Sequence, residues 1–324
     1  MEVECTGGVL AAIGGTPLVE LRRVYPNAPL RIYGKLEGVN PGGSTKDRPA
    51  LSMLLDAMAS GRVEAGRGTV VESSSGNLAI GLAQVCRYFG LRFVCVADPR
   101  MTAQNLAILR AYGAEIEMIG EPDPATGEYL PARLRRVREL LERHPDWCWP
   151  NQYENLANPG AYAAIMREIC AAIDGPIDYL FCAVGTTGTL RGCAEYIRAS
   201  GLATRIVGVD AEGSAIFGLR PRRRLVPGHG AALRPALYRP GLADRVVIVS
   251  DLECVVWCHR LVRREALLAG GSSGAVVAAV GKADVPPGST CVLILPDRGE
   301  RYLDTIYDTT WVQEQFGDLS ALLD

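Results

Sequence analysis

Lys46 is the residue of this sequence that is best suited to covalent chemistry. It lies in the Gly/Ser-rich segment 40–50 (Asn-Pro-Gly-Gly-Ser-Thr-Lys-Asp-Arg-Pro-Ala), and only two other lysines, Lys35 and Lys282, occur among the 34 lysines and arginines of the chain. A lysine amine, unlike an arginine guanidinium, can lose its proton and form a Schiff base. Most loop lysines are solvated surface residues. The interpretation of Lys46 as a nucleophile therefore depends on a partner site elsewhere in the chain.

Two turns between a predicted strand and a predicted helix supply such a partner site. The turn 72–77 (Glu-Ser-Ser-Ser-Gly-Asn) precedes an apolar helix, and the turn 185–189 (Gly-Thr-Thr-Gly-Thr) follows an apolar strand. A turn of this kind presents unpaired backbone N–H groups and the positive end of a helix dipole, which suit a phosphate group. Helix capping explains each turn equally well when it is taken alone. Together with Lys46, the two turns predict a pyridoxal 5'-phosphate site.

These segments resemble the cysteine synthase family of pyridoxal phosphate enzymes, which have fold type II. The segment 270–274 (Gly-Gly-Ser-Ser-Gly) adds to the likeness, which extends from 13–18 (Ile-Gly-Gly-Thr-Pro-Leu) to 296–303 (Pro-Asp-Arg-Gly-Glu-Arg-Tyr-Leu). The resemblance implies an enzyme with an α/β, tryptophan synthase β-like fold. In that fold, two domains contain twisted, mostly parallel sheets that are flanked by helices.

The resemblance also implies which residues bind the cofactor. Lys46 would form the Schiff base with it and would then remove the Cα proton of the substrate. Asn77 would hydrogen-bond its 3'-oxygen, although Asn77 is equally suited to cap the helix that follows. Ser272 would face the pyridine nitrogen, where a hydroxyl in place of a carboxylate favours β-elimination. The implied cofactor-binding residues are Lys46, Asn77, Gly185, Thr186, Thr187, Gly188, Thr189 and Ser272.

The substrate would bind mainly at the turn that ends in Asn77. Closure of this turn onto the substrate α-carboxylate would draw the smaller domain inward and exclude water. Arg133 is the arginine that we favour as a contact for an anionic substrate group, ahead of Arg48, Arg220 and Arg298. A solvated helix face explains any one of these arginines as well. The predicted substrate-binding residues are Ser73, Ser74, Ser75, Gly76, Gln152, Tyr153 and Arg133.

Several less general segments are closely similar to one branch of the family. That branch makes N-(2-amino-2-carboxyethyl)-L-glutamate, on the route to 2,3-diaminopropionate for siderophores and some peptide antibiotics. The segments are 47–50, 121–123, 129–130, 151–153, 209–211 with 213–214 and 216–218, and 302–304 with 308–311. The resemblance implies that O-phospho-L-serine loses phosphate to give an aminoacrylate intermediate, to which the amine of L-glutamate adds.

Two departures keep other functions open. Leu78 stands where cysteine synthases usually have Thr, which argues against cysteine synthesis, whereas Gly185 is as in cysteine synthases and differs from the Ser of the glutamate-using branch. The alternative is therefore a cysteine synthase that acts on O-acetylserine or O-phosphoserine. A more remote alternative is an inactive, cofactor-binding regulatory partner, although Lys46 and the 72–77 turn are both intact. No G-x-G-x-x-G motif supports a dinucleotide-dependent oxidoreductase.

Composition excludes several classes of function. The chain has 324 residues, 48% of them hydrophobic, and a net charge of −2, and no basic domain argues for nucleic-acid binding. The main exception is the run 220–224 (Arg-Pro-Arg-Arg-Arg), which is typical of a solvated loop and less often of a contact to a small anion. No apolar run reaches the ~18 to 20 residues of a membrane span, and the N-terminus lacks the basic region of a signal peptide. Ten scattered cysteines indicate free thiols in a reducing cytoplasm. Cys254, Cys258 and His259 do not make a convincing metal site, so we expect no metal. The resemblance implies a homodimer.

Short apolar segments alternate with longer helical ones along the chain. This alternation predicts parallel sheets with helices on both faces. The predicted strands are 32–35, 69–72, 93–97, 116–119, 179–184, 206–210, 246–249 and 291–295, and the predicted helices are 49–60, 78–89, 103–112, 131–143, 162–173, 190–200, 252–268 and 275–280. By resemblance, residues 41–150 form a smaller, mobile domain, and residues 1–40 with 151–324 form a larger domain that binds the cofactor phosphate.

Overall fold

Two β-sheets organise the molecule, as seen in a computed structural model that describes residues 7–322. The larger sheet has six strands in the order β1-β2-β9-β6-β7-β8, and the smaller sheet has three in the order β3-β4-β5. The strands are β1 Leu18–Glu20, β2 Arg31–Leu36, β3 Thr69–Ser73, β4 Arg92–Ala97, β5 Glu115–Met118, β6 Tyr179–Ala183, β7 Arg205–Ala211, β8 Arg245–Val249 and β9 Thr290–Leu295.

All strand pairs are parallel except the one at an edge of the larger sheet. There β1 runs antiparallel to β2, with Leu18 opposite Lys35. The central strands β6 and β9 are buried along nearly their whole length, as expected for parallel strands that are covered on both faces. The carboxyl ends of parallel strands lie at one edge of a sheet, and loops at that edge are the usual place for a ligand.

Ten α-helices cover the two sheets of the described chain. They are α1 Asp47–Ala59, α2 Asn77–Tyr88, α3 Ala103–Ala111, α4 Tyr129–Arg143, α5 Ala157–Gly160, α6 Ala163–Ala172, α7 Gly188–Ala199, α8 Asp251–Glu265, α9 Gly271–Val280 and α10 Thr309–Phe316. Local sequence sets several of their starts. Pro49 lies in the first turn of α1, where a missing N–H costs nothing. Ser250 and Glu253 form a reciprocal capping box at α8.

Each sheet has an apolar core on both faces, because successive side chains of a strand point to opposite sides. In β4, Phe93 and Cys95 pack with α1 and α2, whereas Val94 and Val96 pack with Val137 of α4. The larger sheet is similar: one face packs on α8 and α9, and the other packs on α6 and α7. The strands of the smaller sheet and helices α1 to α4 all lie within the segment 41–150.

The predicted fold class is confirmed, and each predicted strand and helix is present with slightly different ends. Three elements were not predicted. Strand β1 has three residues, too few to show an alternating pattern, and α5 has four. Helix α10 begins after Asp308, whose carboxylate accepts a hydrogen bond from the Trp311 N–H, and this cap is the local signal for the helix.

Three further observations concern the described part of the chain. Its nine cysteines are free thiols, while the tenth, Cys5, lies outside the described residues. Residues 7–322 contain no group of His, Cys, Asp and Glu side chains that could hold a metal ion. None of the helices in this range is long and apolar enough to cross a membrane.

Candidate active site

A cleft of about 540 Å³ brings together most of the predicted site residues. It is lined from the smaller sheet by the loops after β3 and β4 and by the start of α4, and from the larger sheet by the loop after β6 and by residues 223–232. Of the predicted residues, those that line it are Lys46, 74–77, Arg133, Gln152, Tyr153 and 185–189. Ser73 and Ser272 are not among the lining residues.

Lys46 immediately precedes α1 and reaches into this cleft. Its Nζ lies 5.9 Å from the centroid of the Tyr162 ring. Tyr162 is fully buried, and its hydroxyl has no hydrogen-bond partner among the described residues. The neighbouring Thr45 hydroxyl is likewise buried and unpartnered. Sequence reasoning did not identify Tyr162, because 116 positions separate it from Lys46 and it looks like an ordinary core residue.

The loop 185–189 connects β6 to α7 and opens the N-terminus of that helix toward the cleft. Thr187 has a left-handed backbone (φ 67°), which is costly for a branched side chain and is often found at functional sites. Its hydroxyl is buried and has no partner within the described range. A Cβ at Gly188 would lie 2.4 Å from Oδ1 of Asn158, so a larger residue would displace the Asn158 side chain where α7 meets α5. The resulting loop presents N–H groups and hydroxyls in place of bulky side chains.

Two charged residues fix the side-chain amide of Asn77. Asn77 Nδ2 donates to Asp297 Oδ2 at 2.7 Å, and the guanidinium of Arg301 donates to Asn77 Oδ1. Arg301 also donates to the carbonyl of Gly42, four positions before Lys46, and the Tyr302 hydroxyl donates to Asp297 Oδ2 at 2.5 Å. A guanidinium can only donate and a carboxylate can only accept, so the amide has one orientation. The second N–H of the Asn77 amide donates to no residue of the described chain, so it can donate to a ligand.

The turn 73–77 is held by side chains from two other elements. Ser75 Oγ donates to Asp98 Oδ2 at 3.0 Å and accepts from Arg133 Nη1 at 2.7 Å, and Arg133 also forms an ion pair with Asp98 at 3.2 Å. Ser74 Oγ accepts from the backbone N–H of Gly76 at 3.3 Å and so supports the start of α2. The Ser73 hydroxyl is buried behind the turn.

Glu72 joins the end of β3 to the segment 149–152. Its fully buried carboxylate accepts from Trp149 Nε1 at 3.0 Å, from Ser73 N at 2.8 Å and from Gln152 N at 3.2 Å. Burial raises the pKa of Glu72 to about 7, although these three hydrogen bonds favour its charged form. The Gln152 amide in turn donates to the Ser73 carbonyl at 3.1 Å. Tyr153 follows, lines the cleft, and has its pKa raised by burial.

Ser272 lies in the first turn of α9, directly behind the cleft wall. Its Oγ would be 3.3 Å from a Cβ placed at Gly228, which lines the cleft and has a positive φ of 100°. His229 is the next residue. It is buried beside Cys254, with 3.7 Å between its Nε2 and the sulfur, and burial lowers its pKa to about 4. A neutral imidazole at this position adds no charge to the site.

Three arginines that the sequence offered as weaker substrate contacts do not line the cleft. Arg48 is committed to a buried network. It donates to Glu37 at 2.7 and 2.9 Å and to Glu168 at 2.7 and 2.8 Å. Arg298 donates to the Gly38 carbonyl, and Arg220 is exposed. The arginines that line the cleft are Arg100, Arg133, Arg223 and Arg224; of these, sequence reasoning selected Arg133.

Comparison with known proteins assigns the chain to a family. The family model described as pyridoxal-phosphate dependent enzyme matches residues 9–297, which is most of the chain. The chain belongs to the pyridoxal-phosphate dependent enzyme family. As a member of this family it is an enzyme that uses pyridoxal phosphate, and the predictions of family and cofactor are confirmed.

Two relatives of this pyridoxal-phosphate dependent enzyme are named N-(2-amino-2-carboxyethyl)-L-glutamate synthase. The protein of Ralstonia nicotianae is 45% identical over 307 residues, and that of Cupriavidus metallidurans is 43% identical over 310 residues. Each alignment covers 94% of this chain and 90% of the relative. A similar solved structure is the O-acetylserine dependent cystathionine beta-synthase from Helicobacter pylori. It has a TM-score of 0.85 and 31% identity, and the match covers 95% of this chain and 100% of that chain.

The residues around Lys46 fit pyridoxal phosphate. The unpartnered Thr187 hydroxyl and the open N-terminus of α7 provide donors that suit its phosphate group. The oriented Asn77 amide provides a donor for an oxygen of its ring. We propose that residues 185–189, Asn77 and Lys46 hold the cofactor, with Ser272 behind the position of its ring.

Proposed function

We propose that this enzyme catalyses a β-replacement in which O-phospho-L-serine and L-glutamate give N-(2-amino-2-carboxyethyl)-L-glutamate and phosphate. The observation that carries the proposal is the charge of the cleft: four guanidinium groups line it, against two carboxylates, Asp98 and Glu128. Two multiply charged anions require such a surface, whereas sulfide does not. The names of the two relatives support the same substrates. The product is a precursor of 2,3-diaminopropionate.

The turn at 74–77 would bind the α-carboxylate of phosphoserine. Its hydroxyls and the N–H groups at the start of α2 line the cleft, and the positive end of the α2 dipole favours an anion there. Gln152 lies beside the turn and is tied to it through the Ser73 carbonyl. Arg133, which contacts Ser75, would bind the phosphate of the same substrate.

Lys46 would transfer the protons of the reaction. Pyridoxal phosphate, when bound, stabilises the negative charge that develops at the substrate Cα. The Lys46 amine takes the Cα proton, and the Cβ–O bond breaks with release of phosphate. The glutamate nitrogen then forms a bond to Cβ and loses a proton to the released phosphate or to water, and Lys46 returns a proton to Cα. Each substrate bond that breaks is matched by one that forms, so the exchange needs no oxidant or reductant.

A second candidate function is that of a cysteine synthase, and one observation favours it. A Cβ at Gly185 would have no neighbour closer than 4.0 Å, so the cleft is open at this position and would admit a small nucleophile. The solved relative from Helicobacter pylori is named as O-acetylserine dependent. Against this candidate, Leu78 lines the cleft with an apolar side chain and offers no hydroxyl to the substrate turn.

Product analysis with a matrix of donors and acceptors would test the proposal. The holoenzyme would be incubated with O-phosphoserine or O-acetylserine and with glutamate or sulfide, and phosphate release and product mass would be measured. We expect product from phosphoserine with glutamate, and none from the Lys46→Ala variant. If only the sulfide reactions give product, the enzyme is a cysteine synthase.

We also propose a cytoplasmic homodimer, as the family resemblance implies. Light scattering of the purified holoenzyme should give twice the mass of 34.8 kDa that one chain has. A mass equal to that of one chain would contradict the proposed dimer.

A further inference from the structure

Arg224 is a cleft residue that forms no direct ion pair within residues 7–322. Its Nη1 donates to the carbonyl of Gly213 at 2.9 Å. The carboxylates of Glu128, Asp210 and Asp251 act on its charge without a direct contact. Two other cleft arginines are neutralised: Arg133 pairs with Asp98, and Arg100 pairs with Glu128 at 3.0 Å. Arg224 is half-buried, and burial lowers its pKa, yet an arginine stays charged in a protein.

The position of Arg224 is fixed by its own loop. The carboxylate of Asp251, the first residue of α8, accepts from the backbone N–H groups of Leu225 at 2.8 Å and Val226 at 3.1 Å. The Gly213 carbonyl also accepts from the N–H of Arg222 at 3.0 Å. These contacts anchor the loop on both sides of the guanidinium. A charge that is already held in place loses little entropy when an anion binds to it.

A partly desolvated guanidinium without a direct ion pair favours an anionic ligand. Removing a charge from water is costly unless an opposite charge compensates for it. A carboxylate forms two parallel hydrogen bonds with a guanidinium, which gives both strength and orientation. A ligand bound in the cleft, and not a side chain of the protein, would therefore form the ion pair with Arg224.

The position of Arg224 favours the second substrate as its ligand. Arg133 contacts the turn 73–77 on the smaller-sheet side of the cleft. Arg224 lines the opposite side, which comes from the larger sheet. In the proposed function the turn 74–77 and Arg133 already bind the carboxylate and the phosphate of the donor. Arg224 is then left for an anionic group of the acceptor.

We propose that Arg224 determines acceptor specificity by binding the side-chain carboxylate of a dicarboxylic amino acid. This inference rests on the proposed function and specifies which residue selects glutamate. Glutamine, which has the same length without the charge, would be a poor acceptor for this reason. Arg224 would have no role in binding the donor.

Steady-state kinetics of Arg224→Gln and Arg224→Lys would test the inference. With saturating phosphoserine, the KM for glutamate should rise about 10- to 100-fold in Arg224→Gln, as expected for a lost charge-assisted contact. The KM for phosphoserine should not change, and the preference for glutamate over glutamine should disappear. Arg224→Lys should recover part of that preference. Arg222→Gln is the matched control, because Arg222 is on the same loop, is 71% exposed and does not line the cleft.

Each other outcome has a distinct meaning. A raised KM for phosphoserine with an unchanged preference for glutamate would overturn the inference and assign Arg224 to the donor phosphate. Unchanged kinetics in both variants would also overturn it. If Arg224→Gln does not fold, as judged by its thermal unfolding, the preference of Arg224→Lys for glutamate over glutamine decides the question. Absence of product from the wild-type enzyme with phosphoserine and glutamate would reject the proposed function and the inference with it.

Discussion

At the scale of single residues, the orientation of Asn77 is the best-defined feature of the site. Asp297 accepts from its Nδ2 and Arg301 donates to its Oδ1. Both partners lie more than 200 positions further along the chain. Asn77 therefore differs from a simple helix cap: no side-chain capping bond is present at this end of α2. The contacts support a role of its free N–H bond toward the cofactor.

Asp297→Asn should weaken cofactor binding. An amide at position 297 can present N–H groups to Asn77, so it no longer fixes the orientation of the Asn77 amide. We expect the dissociation constant of pyridoxal phosphate to rise about tenfold, as expected for one net hydrogen bond, with a change in the absorption maximum of the bound cofactor. Titration of the apoenzyme would measure both. Asp304→Asn, an exposed change in the same segment, is the control. Equal cofactor affinity in the two variants would refute the role of Asp297.

The local motifs and the long-range contacts differ in how well the sequence predicts them. Lys46, the turn ending in Asn77 and the loop 185–189 each carry a local signature, because a Gly- or Ser-rich turn between strand and helix has recognisable composition. Asp297, Arg301, Tyr162 and Arg224 have no such signature. Their roles depend on partners that only the folded chain brings together, and the composition of the run 220–224 does not distinguish Arg224 from the solvated arginines beside it.

At the scale of secondary-structure elements, Glu72 connects the end of β3 to the segment that returns to the larger sheet. Its three N–H donors come from positions 73, 149 and 152. The turn 73–77 and the segment 149–152 are therefore joined through one buried carboxylate. Burial of this carboxylate makes the connection sensitive to pH, because the pKa of Glu72 is about 7.

The free energy of unfolding should fall as the pH rises toward 7, and Glu72→Gln should reduce that fall. The folded chain keeps a proton on Glu72 that the unfolded chain releases above the ordinary pKa of 4.5. The contribution of Glu72 is therefore complete below pH 4.5 and lost through pH 7. The difference in the free energy of unfolding between wild type and Glu72→Gln should change by up to about 3 kcal/mol between pH 4.5 and pH 7.

Urea denaturation of both holoenzymes between pH 5 and 8 would measure this difference. Asp47 and Asp210, whose pKa values burial raises to about 7 and about 6, remain in the variant, so the comparison isolates Glu72. Glu64→Gln removes an exposed carboxylate and should leave the pH dependence unchanged. Parallel curves for wild type and Glu72→Gln would show that Glu72 does not titrate in this range.

At the scale of the whole molecule, the cleft lies between two sheets that have separate cores. The turn 73–77 and Arg133 come from the part with the smaller sheet, whereas the loop 185–189 and Arg224 come from the part with the larger one. We propose that residues 41–150 move as a unit toward the larger domain when the donor binds. Such a movement would bring the two sets of cleft residues closer and exclude water.

Small-angle X-ray scattering would detect this closure. Phosphoserine added to the Lys46→Ala variant with pyridoxal phosphate, which cannot turn it over, should reduce the radius of gyration. Inorganic phosphate at the same concentration is the control and should have little effect, because it lacks the α-carboxylate that the turn 74–77 binds. An unchanged radius with saturating phosphoserine would contradict a mobile smaller domain.

The most direct test of the proposed reaction is to follow the glutamate nitrogen into the product. The holoenzyme would convert phosphoserine and glutamate labelled with ¹⁵N at its amine, and mass spectrometry with fragmentation would locate the label. We predict that the label joins the three-carbon skeleton of serine to glutamate as a secondary amine, with one phosphate released for each product. Release of phosphate without incorporation of the label, together with a sulfur-containing product when sulfide is added, would contradict the proposed function.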